Sequence, residues 1–362
     1  MGDTAKRRPG IDYPRIATEE AFLTPELREL YWHFCKNLAE TPDTAIAMRP
    51  QSAPGSPLAA RLLDFDEQRL QDMDANGVAV QILSLTCPGV QIFQPDVASE
   101  LTRLANDQLA DVIARHPTRF RGLAAVAPQA AKDAPAEMER AINKLGLNGF
   151  IINSHTNDEY LDDRKYWPVL EAAQALDRPI YIHPRGASKQ LAGAYDFGNL
   201  LGPLWGFNAE VSTHVVRMIY AGVFDQFPDL KIVIGHMGET IPFYLWRCDF
   251  GWELGHKLPE GKFSKAFRRN VAITTSGAAD FGTDHAPAEP ALRCSIETMG
   301  ADNIMWAVDY PYQATAPAVT FLDKANISEE DREKIYWRNA ARIFRLNLDN
   351  VPGTTDHQTT TA

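Results

Sequence analysis

The chain has 362 residues, of which 45% are hydrophobic and 23% charged, and its formal net charge is −11. This acidic balance argues against nucleic acid or an anionic membrane as a standing partner, because both bind basic faces. A small anionic substrate remains compatible with it if the pocket itself is positive. The length suits one large α/β barrel, which often exceeds 250 residues as a single unit.

Cysteine usage and the chain ends point to a cytoplasmic protein. The four cysteines are far apart and form no CxxC pattern, so we expect reduced thiols rather than a disulfide framework. The basic stretch MGDTAKRRPG has no apolar segment after it and is not expected to be a signal peptide, and no apolar run is long enough to cross a bilayer. We interpret residues 1–14 as an N-terminal extension and 347–362 as a flexible tail.

Short apolar runs alternate with amphipathic stretches along the chain, which is typical of repeated β–α units. The runs are continuously apolar, as strands buried on both faces should be. The predicted strands are Arg15–Phe22, Val78–Thr86, Arg119–Pro128, Asn148–His155, Arg178–Pro184, Lys231–Gly238, Asn270–Gly277 and Asn303–Pro311. Residues 15–346 are therefore predicted to form a single (β/α)₈ barrel, the TIM-barrel fold.

The stretches between the runs have helical periodicity. In Asp96–His116 the apolar residues recur mainly at three- and four-residue steps, and Tyr166–Leu176, Val211–Phe224 and Glu329–Phe344 behave similarly. The segment Pro42–Pro57, rich in proline and small residues, is interpreted as a long loop inserted after strand one and as a candidate lid over the site.

Polar residues stand where several of these strands end, and in such barrels the catalytic groups come from the C-terminal ends of the strands. An ionisable side chain at the end of an apolar strand is costly unless it is paired or ligated. The residues at these positions are Glu19, Glu20, His155, His183, His236, Glu239, Asp309 and Tyr312.

His183 and His236 form the most informative pair among them. One such histidine by itself is more often satisfied by a backbone carbonyl. Two histidines on neighbouring strands, together with a strand-one glutamate and a strand-eight aspartate, favour a divalent metal such as Zn²⁺ or Mn²⁺, and Mg²⁺ also fits. Glu20 is expected to play a supporting or structural part rather than to bind metal, because adjacent residues of a strand point to opposite faces.

Several motifs resemble the amidohydrolase superfamily, and within it the branch of metal-dependent non-oxidative decarboxylases. The matching segments are RIATEEAF, INSHT, YIHP, FDQFPDLKIVIGHMGE and AVDYPYQ. The branch includes decarboxylases of 5-carboxyvanillate, γ-resorcylate, 2,3-dihydroxybenzoate and aminocarboxymuconate semialdehyde, and the 5-carboxyvanillate enzymes match most closely. The resemblance spans residues 15–346.

The resemblance implies a role for individual residues. The implied metal ligands are Glu19, His183 and Asp309. His236 matches a histidine that stands beside the substrate, and Glu239 matches the acid that hydrogen-bonds this histidine. The implied or candidate substrate contacts are Arg247, Tyr312, His155 and Arg185. For the last two, a hydrogen bond within a loop (His155) and an ion pair with a neighbouring acid (Arg185) are equally good interpretations, and Arg247 is also a candidate for an ordinary ion pair.

The sequence departs from the wider superfamily in two ways. Glu19 is followed two positions later by Ala21 instead of completing an HxH motif, and no lysine ends strand four, so one metal ion is expected rather than two. The carboxyvanillate enzymes also carry an arginine in the strand-one loop, where this chain has only Pro and Ser, with Arg49 and Arg61 off register. The sequence therefore leaves open which aromatic acid is used.

The implied activity is non-oxidative decarboxylation of an ortho-hydroxybenzoate-type acid, by protonation of the ring carbon that bears the carboxylate. Asp309 is the first candidate for the proton donor, and His236 paired with Glu239 is the other. No organic cofactor is expected, because no GxGxxG or phosphate-binding loop follows a strand. Relatives imply a homodimer or homotetramer.

Two other classes of function remain to be compared with this one. A metal-dependent hydrolase of a lactone, ester or amide would use the same barrel. The missing HxH motif and lysine weigh against it. A non-catalytic binding protein is disfavoured by the completeness of the set of residues at the strand ends.

Overall fold

A computed structural model describes residues 13–37, 41–195, 197, 200–253, 262–278, 289–349 and 351, without the side chains of 251–253. Eight strands form one sheet in chain order, and every neighbouring pair is parallel. The strands are β1 (Arg15–Phe22), β2 (Val78–Leu85), β3 (Phe120–Ala125), β4 (Gly149–Asn153), β5 (Ile180–His183), β6 (Ile232–Ile234), β7 (Val271–Thr274) and β8 (Ile304–Met305). The predicted barrel fold is confirmed.

β8 is far shorter than the predicted Asn303–Pro311, because regular pairing ends at Met305. The chain beyond it still lies along β1: Thr18 N donates to Trp306 O at 3.2 Å, and Ala21 N donates to Tyr310 O at 2.7 Å. These bonds bring the last strand beside the first. We call this junction, between β1 and residues 304–311, the seam.

Helices connect the strands. They are Pro25–Asn37, Thr44–Met48, Arg49–Ser52, Pro57–Leu63, Gln68–Ala75, Pro95–Arg115, Ala134–Asn143, Trp167–Ala175, Lys189–Tyr195, Gly206–Tyr220, Val223–Gln226, Ile241–Glu253, Phe263–Asn270, Glu289–Met299, Thr315–Lys324, Glu329–Glu333, Lys334–Arg338 and Asn339–Ile343, with single 3₁₀ turns at Pro128–Ala130, Arg164–Tyr166, His236–Gly238 and Ala301–Asn303.

The helix Pro95–Arg115 illustrates why these segments are helical. Proline opens its first turn, where no backbone N–H is needed, and Asp96 in that turn complements the positive end of the helix dipole. Leu101, Ala105, Leu109 and Val112 recur on one side of the helix and are buried. This apolar side packs on the barrel, as the periodicity predicts.

The prediction of a long loop over Pro42–Pro57 is wrong. The segment contains the π-helical turn Thr44–Met48 and the helix Arg49–Ser52, and Pro57 begins another helix. Ser56 caps that helix, accepting from Ala59 N at 3.2 Å. Two of the four prolines in the segment, Pro50 and Pro57, stand in the first turns of helices, where proline is tolerated. Lid motion of this segment stays a prediction.

The predicted terminal segments fall mostly outside the described residues, namely 1–12, 350 and 352–362. Tyr13, assigned to the N-terminal extension, is buried against the barrel, and its hydroxyl donates to Glu329 at 2.6 Å. Among the described residues, no helix is both long and apolar enough to span a bilayer. All four cysteines are free thiols.

Candidate metal centre and active site

The three predicted metal ligands come together at the C-terminal end of the barrel. Glu19 lies on β1, His183 ends β5 and Asp309 follows β8, and one ligand atom from each lies within 4.8 Å of the others. His183 Nδ1 donates to Pro184 O at 2.7 Å, which leaves Nε2 facing Glu19 Oε1 at 3.5 Å. This arrangement sets the ring orientation that a metal-binding imidazole needs.

Glu19 supplies the test of whether a cation fits. Its Oε2 is held by the hydroxyls of Tyr181 and Thr274, the latter at 2.8 Å, whereas its Oε1 is buried and has no hydrogen-bond partner among the described residues. A buried carboxylate oxygen without a donor is costly unless a cation stands beside it. Two carboxylates and one imidazole are a suitable donor set for Mn²⁺, Zn²⁺ or Mg²⁺. The three side chains therefore fit one divalent ion.

Sequence reasoning missed the side chains that hold Glu19. Tyr181 and His183 are two residues apart on β5, and Thr274 ends β7. Residues two apart on a strand share a face, so the spacing from His183 was the signal that could have found Tyr181. Thr274 carried no such signal, because no predicted site residue lies on β7. Gly235 is needed here because a Cβ would stand only 2.7 Å from Glu19 Oε2.

His236 and Glu239 lie on an uncommon backbone turn directly after β6. All five residues from His236 to Thr240 have positive φ, between 51° and 77°. For residues with a Cβ this left-handed conformation is unfavourable and is kept only where the surroundings enforce it. It lets His236 Nδ1 donate to Glu239 Oε1 at 2.7 Å and places Nε2 3.7 Å from Glu19 Oε1 and 4.0 Å from Asp309 Oδ2.

Burial and neighbouring charges shift the pKa values of these groups in opposite directions. Burial acts to lower the pKa of His236, but the carboxylates of Glu239 and Glu19 outweigh it and raise that pKa to about 10. Burial and then the charge of Glu19 raise the pKa of Asp309 well above its usual value. Burial acts to raise the pKa of Glu19, but His236 and His183 hold it below its usual value. Without metal, His236 therefore keeps its proton at neutral pH, and the surroundings of Asp309 favour its protonated form.

Tyr312 lies three residues after Asp309 and is bonded to three loops. Its backbone N donates to Asp309 O at 2.9 Å, and its hydroxyl accepts from Gln51 Nε2 at 2.6 Å and contacts Thr86 Oγ1 at 2.5 Å. The inserted segment after β1 is thereby tied to the loops after β2 and β8. Gln51 and Thr86 carry no signal in the sequence that would have singled them out.

Two other predicted substrate contacts, His155 and Arg185, are bonded to loop groups. His155 is buried, and both its ring nitrogens are used: Nε2 donates to Gly186 O at 2.9 Å, and Nδ1 accepts from Asp158 N at 3.3 Å. Arg185 is buried in an ion pair with Asp43 and donates to His155 O at 3.1 Å. For both residues these contacts match the alternative interpretation, a connection within the loops.

Arg247 is exposed on the helix Ile241–Glu253, with its guanidinium carbon 5.8 Å from the centre of the Trp246 ring.

A family model described as amidohydrolase matches residues 46–346. The chain belongs to this family. It is 40% identical over 302 residues to a γ-resorcylate decarboxylase of Polaromonas sp. strain JS666. The matched region covers 80% of this chain and 90% of the relative.

Solved structures give the same result. The fold superposes with a TM-score of 0.86 on 5-carboxyvanillate decarboxylase from Sphingomonas paucimobilis, at 44% identity and covering 92% of this chain and 99% of that one. It also superposes with a TM-score of 0.86 on 5-carboxyvanillate decarboxylase from Novosphingobium aromaticivorans in complex with manganese and 4-hydroxy-3-methoxy-5-nitrobenzoic acid, at 35% identity and covering 96% and 100%. The predicted resemblance to the decarboxylase branch is confirmed.

Proposed function

We propose that this protein is a metal-dependent carboxy-lyase that removes CO₂, without oxidation, from an ortho-hydroxybenzoate-type aromatic acid. The observation that carries the proposal is the Glu19–His183–Asp309 cluster with His236 beside it. The relatives that are decarboxylases favour this activity over hydrolysis of a lactone, ester or amide.

We propose that Glu19, His183 and Asp309 hold a single divalent ion and that the ion is Mn²⁺. The support is the unpartnered Glu19 Oε1, the carboxylate–imidazole donor set and the manganese in the Novosphingobium complex. Such an ion supplies positive charge that offsets the substrate's carboxylate and phenolate oxygens and helps to fix the ring. Zn²⁺ and Mg²⁺ are the alternatives that a metal-exchange experiment distinguishes.

Asp309 is proposed as the proton donor. Burial and the charge of Glu19 favour its protonated form, and its Oδ2 lies 4.0 Å from His236 Nε2. The proton moves from Asp309 to the ring carbon that bears the carboxylate, and a C–H bond forms. The bond from this carbon to the carboxylate then breaks, its electrons restore the aromatic ring, and CO₂ leaves. Solvent returns a proton to Asp309.

His236 and Glu239 have a second task in this scheme. The bond from His236 Nδ1 to Glu239 fixes the ring so that Nε2 points to Glu19 and Asp309. A cationic imidazole at this place stabilises negative charge on the substrate and is the alternative proton donor. Tyr312 is proposed to border the substrate, and Arg247 stays a candidate substrate contact.

His155 and Arg185 are proposed to act indirectly, by fixing the loop that follows β5. His155 donates to Gly186 O, and Arg185 is paired with Asp43.

The test is CO₂ release from a panel of ortho-hydroxybenzoic acids that carry one or two carboxylates. The protein is stripped of metal and reloaded with Mn²⁺ or Zn²⁺, and loss of substrate absorbance is followed in parallel. We expect metal-dependent CO₂ from at least one acid. No CO₂ release from any acid of the panel, together with turnover of a lactone or ester panel, would reject the decarboxylase activity and favour a hydrolase.

Two matched aspartate variants sharpen this test. Asp309→Asn should abolish CO₂ release while the circular dichroism spectrum stays unchanged. Asp302→Asn removes an exposed carboxylate that contacts Lys334 just before β8 and should leave activity at the wild-type level. Equal activity of the two variants would exclude Asp309 as the proton donor.

We also propose a homo-oligomer, as the family resemblance implies. Phe243, Tyr244, Trp246 and Phe250 on the helix Ile241–Glu253 are each more than half exposed, and contiguous apolar surface of this kind marks interfaces. Sedimentation should give a dimer or tetramer, and Trp246→Lys should weaken it. A cytoplasmic location remains a proposal that the four free thiols support.

A further inference from the structure

Glu20, the neighbour of the metal-ligand candidate Glu19, lies on the opposite side of β1 and has a set of contacts of its own. Its side chain is fully buried. One carboxylate oxygen accepts from Val308 N and the other from Tyr310 N, each at 3.0 Å. Both oxygens therefore bond to the backbone just beyond β8.

Asp309 lies between Val308 and Tyr310 in the chain. Its own N–H donates to the backbone oxygen of Glu19 at 3.1 Å. Three successive N–H groups, from Val308 to Tyr310, therefore all end on the Glu19–Glu20 dipeptide. Regular strand pairing has already stopped at Met305, so these bonds hold the segment where the sheet no longer does.

Asp309 needs such support because its backbone is strained. Its φ is 74°, in the left-handed region that residues with a Cβ rarely occupy. The direction of its side chain depends on the two peptide planes on either side of it. The plane before Asp309 carries its own N–H, which donates to the backbone oxygen of Glu19, and the plane after it carries the N–H of Tyr310, which donates to Glu20. The other oxygen of Glu20 holds the N–H of Val308, one peptide earlier, so Glu20 restrains the chain before and after Asp309.

A bulge in β1 lets the adjacent residues Glu19 and Glu20 point to different groups. Ala17 pairs with Gln81 of β2 and Glu20 pairs with Leu83. Three residue steps on β1 therefore span only two on β2. Bulges of this kind redirect side chains near active sites. Glu19 thus points to His183 and His236, and Glu20 points to the backbone around Asp309.

We propose that Glu20 is a positioning residue of the reaction: by holding the backbone N–H groups of Val308 and Tyr310, the residues before and after Asp309, it sets the place of the Asp309 carboxylate relative to Glu19 and His183. The inference rests on the proposed function, in which Asp309 binds the metal and donates the proton. Glu20 touches neither the substrate nor the metal and acts only through Asp309.

The variant that tests this is Glu20→Gln, which keeps the size of the side chain but replaces one acceptor oxygen with a donor amide that faces a peptide N–H. Mn²⁺ affinity, measured by calorimetry on the metal-stripped protein, should fall about 10–100-fold, as for other residues that orient metal ligands. With Mn²⁺ saturating, kcat should fall by a similar factor, while KM changes little.

Glu137→Gln is the matched control. Glu137 is also buried and accepts from Asn106 and Arg140, remote from the proposed site. Its substitution should lower the midpoint of thermal unfolding but leave Mn²⁺ affinity and kcat unchanged. If Glu20→Gln behaves in the same way, Glu20 is merely structural and the proposal is overturned.

A measurement on the wild-type protein keeps the proposal testable if Glu20→Gln does not fold. The amides of Val308 and Tyr310 should exchange hydrogen more slowly with Mn²⁺ bound than without it, because ligation of Asp309 and the Glu20 clamp restrain the same segment. The amide of Ala125, which donates to Asn106 Oδ1, should exchange equally in both states. Unchanged exchange at Val308 and Tyr310 would overturn the proposal.

These readouts separate this proposal from the proposed function. Mn²⁺ affinity and amide exchange are measured without any substrate. A failed decarboxylase assay with weakened Mn²⁺ binding in Glu20→Gln would reject the activity but retain the positioning role. Full decarboxylase activity in Glu20→Gln would reject the positioning role alone.

Discussion

Two pairs of histidines lie near the same end of the barrel, and they differ in what their ring nitrogens contact. His183 and His236 each direct Nε2 toward the carboxylate of Glu19, at 3.5 and 3.7 Å. In the other pair, His155 uses both nitrogens on backbone groups. His214 accepts from Leu161 N at 3.0 Å through Nε2, and its Nδ1 lies 3.3 Å from Ser154 Oγ.

The comparison teaches that burial by itself does not identify a functional histidine. His214 is fully buried, more so than His183 or His236, yet its ring serves to join the segment after β4 to the helix Gly206–Tyr220. The distinguishing property is whether one ring nitrogen remains directed at a carboxylate. We therefore expect substitutions in the first pair to remove activity and substitutions in the second to remove stability.

The largest effect should come from His183→Ala. Loss of the only imidazole in the proposed ligand set should raise the Mn²⁺ dissociation constant and lower kcat/KM about a thousandfold, several kcal/mol of transition-state stabilisation. Calorimetry and CO₂ release measure the two effects, and stripping the metal from the wild type should have the same consequence for activity. His33→Ala, at an exposed histidine that contacts Asn37, is the control and should behave as the wild type.

Glu239→Gln should have the next largest effect. A glutamine cannot offset the charge of the imidazolium, so the pKa of His236 should fall and its proton should be lost at a lower pH. We expect kcat at neutral pH to fall about a hundredfold, measured at saturating substrate and Mn²⁺. Wild-type kcat in this variant would mean that His236 does not depend on Glu239.

His214→Phe tests the other side of the comparison. The change leaves the N–H of Leu161 without its acceptor, and a buried unsatisfied group costs about 1–3 kcal/mol. The hydroxyl of Ser154 loses His214 but keeps its hydrogen bond to Glu210. The free energy of unfolding in urea at pH 7.5 should therefore fall by about 2 kcal/mol, while kcat of the folded protein stays the same. A drop in kcat with unchanged stability would reverse our assignment of the two pairs.

The smallest effect is a pH dependence of stability. Burial lowers the pKa of His214 to about 3, below its value of about 6.5 in an unfolded chain. The contribution of His214 to the free energy of unfolding is therefore complete above pH 6.5 and is lost as the pH falls toward 3. The reason is that the unfolded chain binds a proton on this residue that the folded protein excludes. Between pH 7.5 and 5 the wild type should lose about 2 kcal/mol from this residue.

The variant His214→Phe cannot lose this contribution, so the stabilities of the two proteins should converge at pH 5. Burial and then Arg185 lower the pKa of His155 to about 4, but His155 is present in both proteins and cancels in the comparison. A stability difference that is the same at pH 7.5 and 5 would show that His214 does not titrate in this way.

Much of the fold could be predicted because apolar runs mark strands that are buried on both faces. The bounds of β1 agree with the prediction at both ends, Arg15 and Phe22. β8 was predicted too long because residues 306–311 are as buried as a strand but are held by single bonds to β1 and by the carboxylate of Glu20. A hydrophobic pattern predicts that a segment is buried, but it does not predict which group accepts each backbone N–H.

The candidate site could be predicted only in part, for a related reason. Glu19, His183 and Asp309 stand at strand ends, and the structure brings them together. His155 also follows a strand and could not be separated from His183, because the partners of its ring come from Gly186 and Asp158 in loops that only the folded chain brings near. Positions along a chain predict proximity at one end of a barrel, but they do not predict how a ring is turned.

The seam between β1 and the chain beyond β8 has a consequence for how the protein is made. The bond between Glu20 and Val308 joins residues 288 positions apart. A ribosome-bound chain that has not yet emerged past Asp309 lacks a ligand of the proposed metal site and the strand that closes the barrel. The ability to hold the metal therefore appears only after Asp309 has emerged, which makes metal retention an indicator that β1 and the segment beyond β8 have come together.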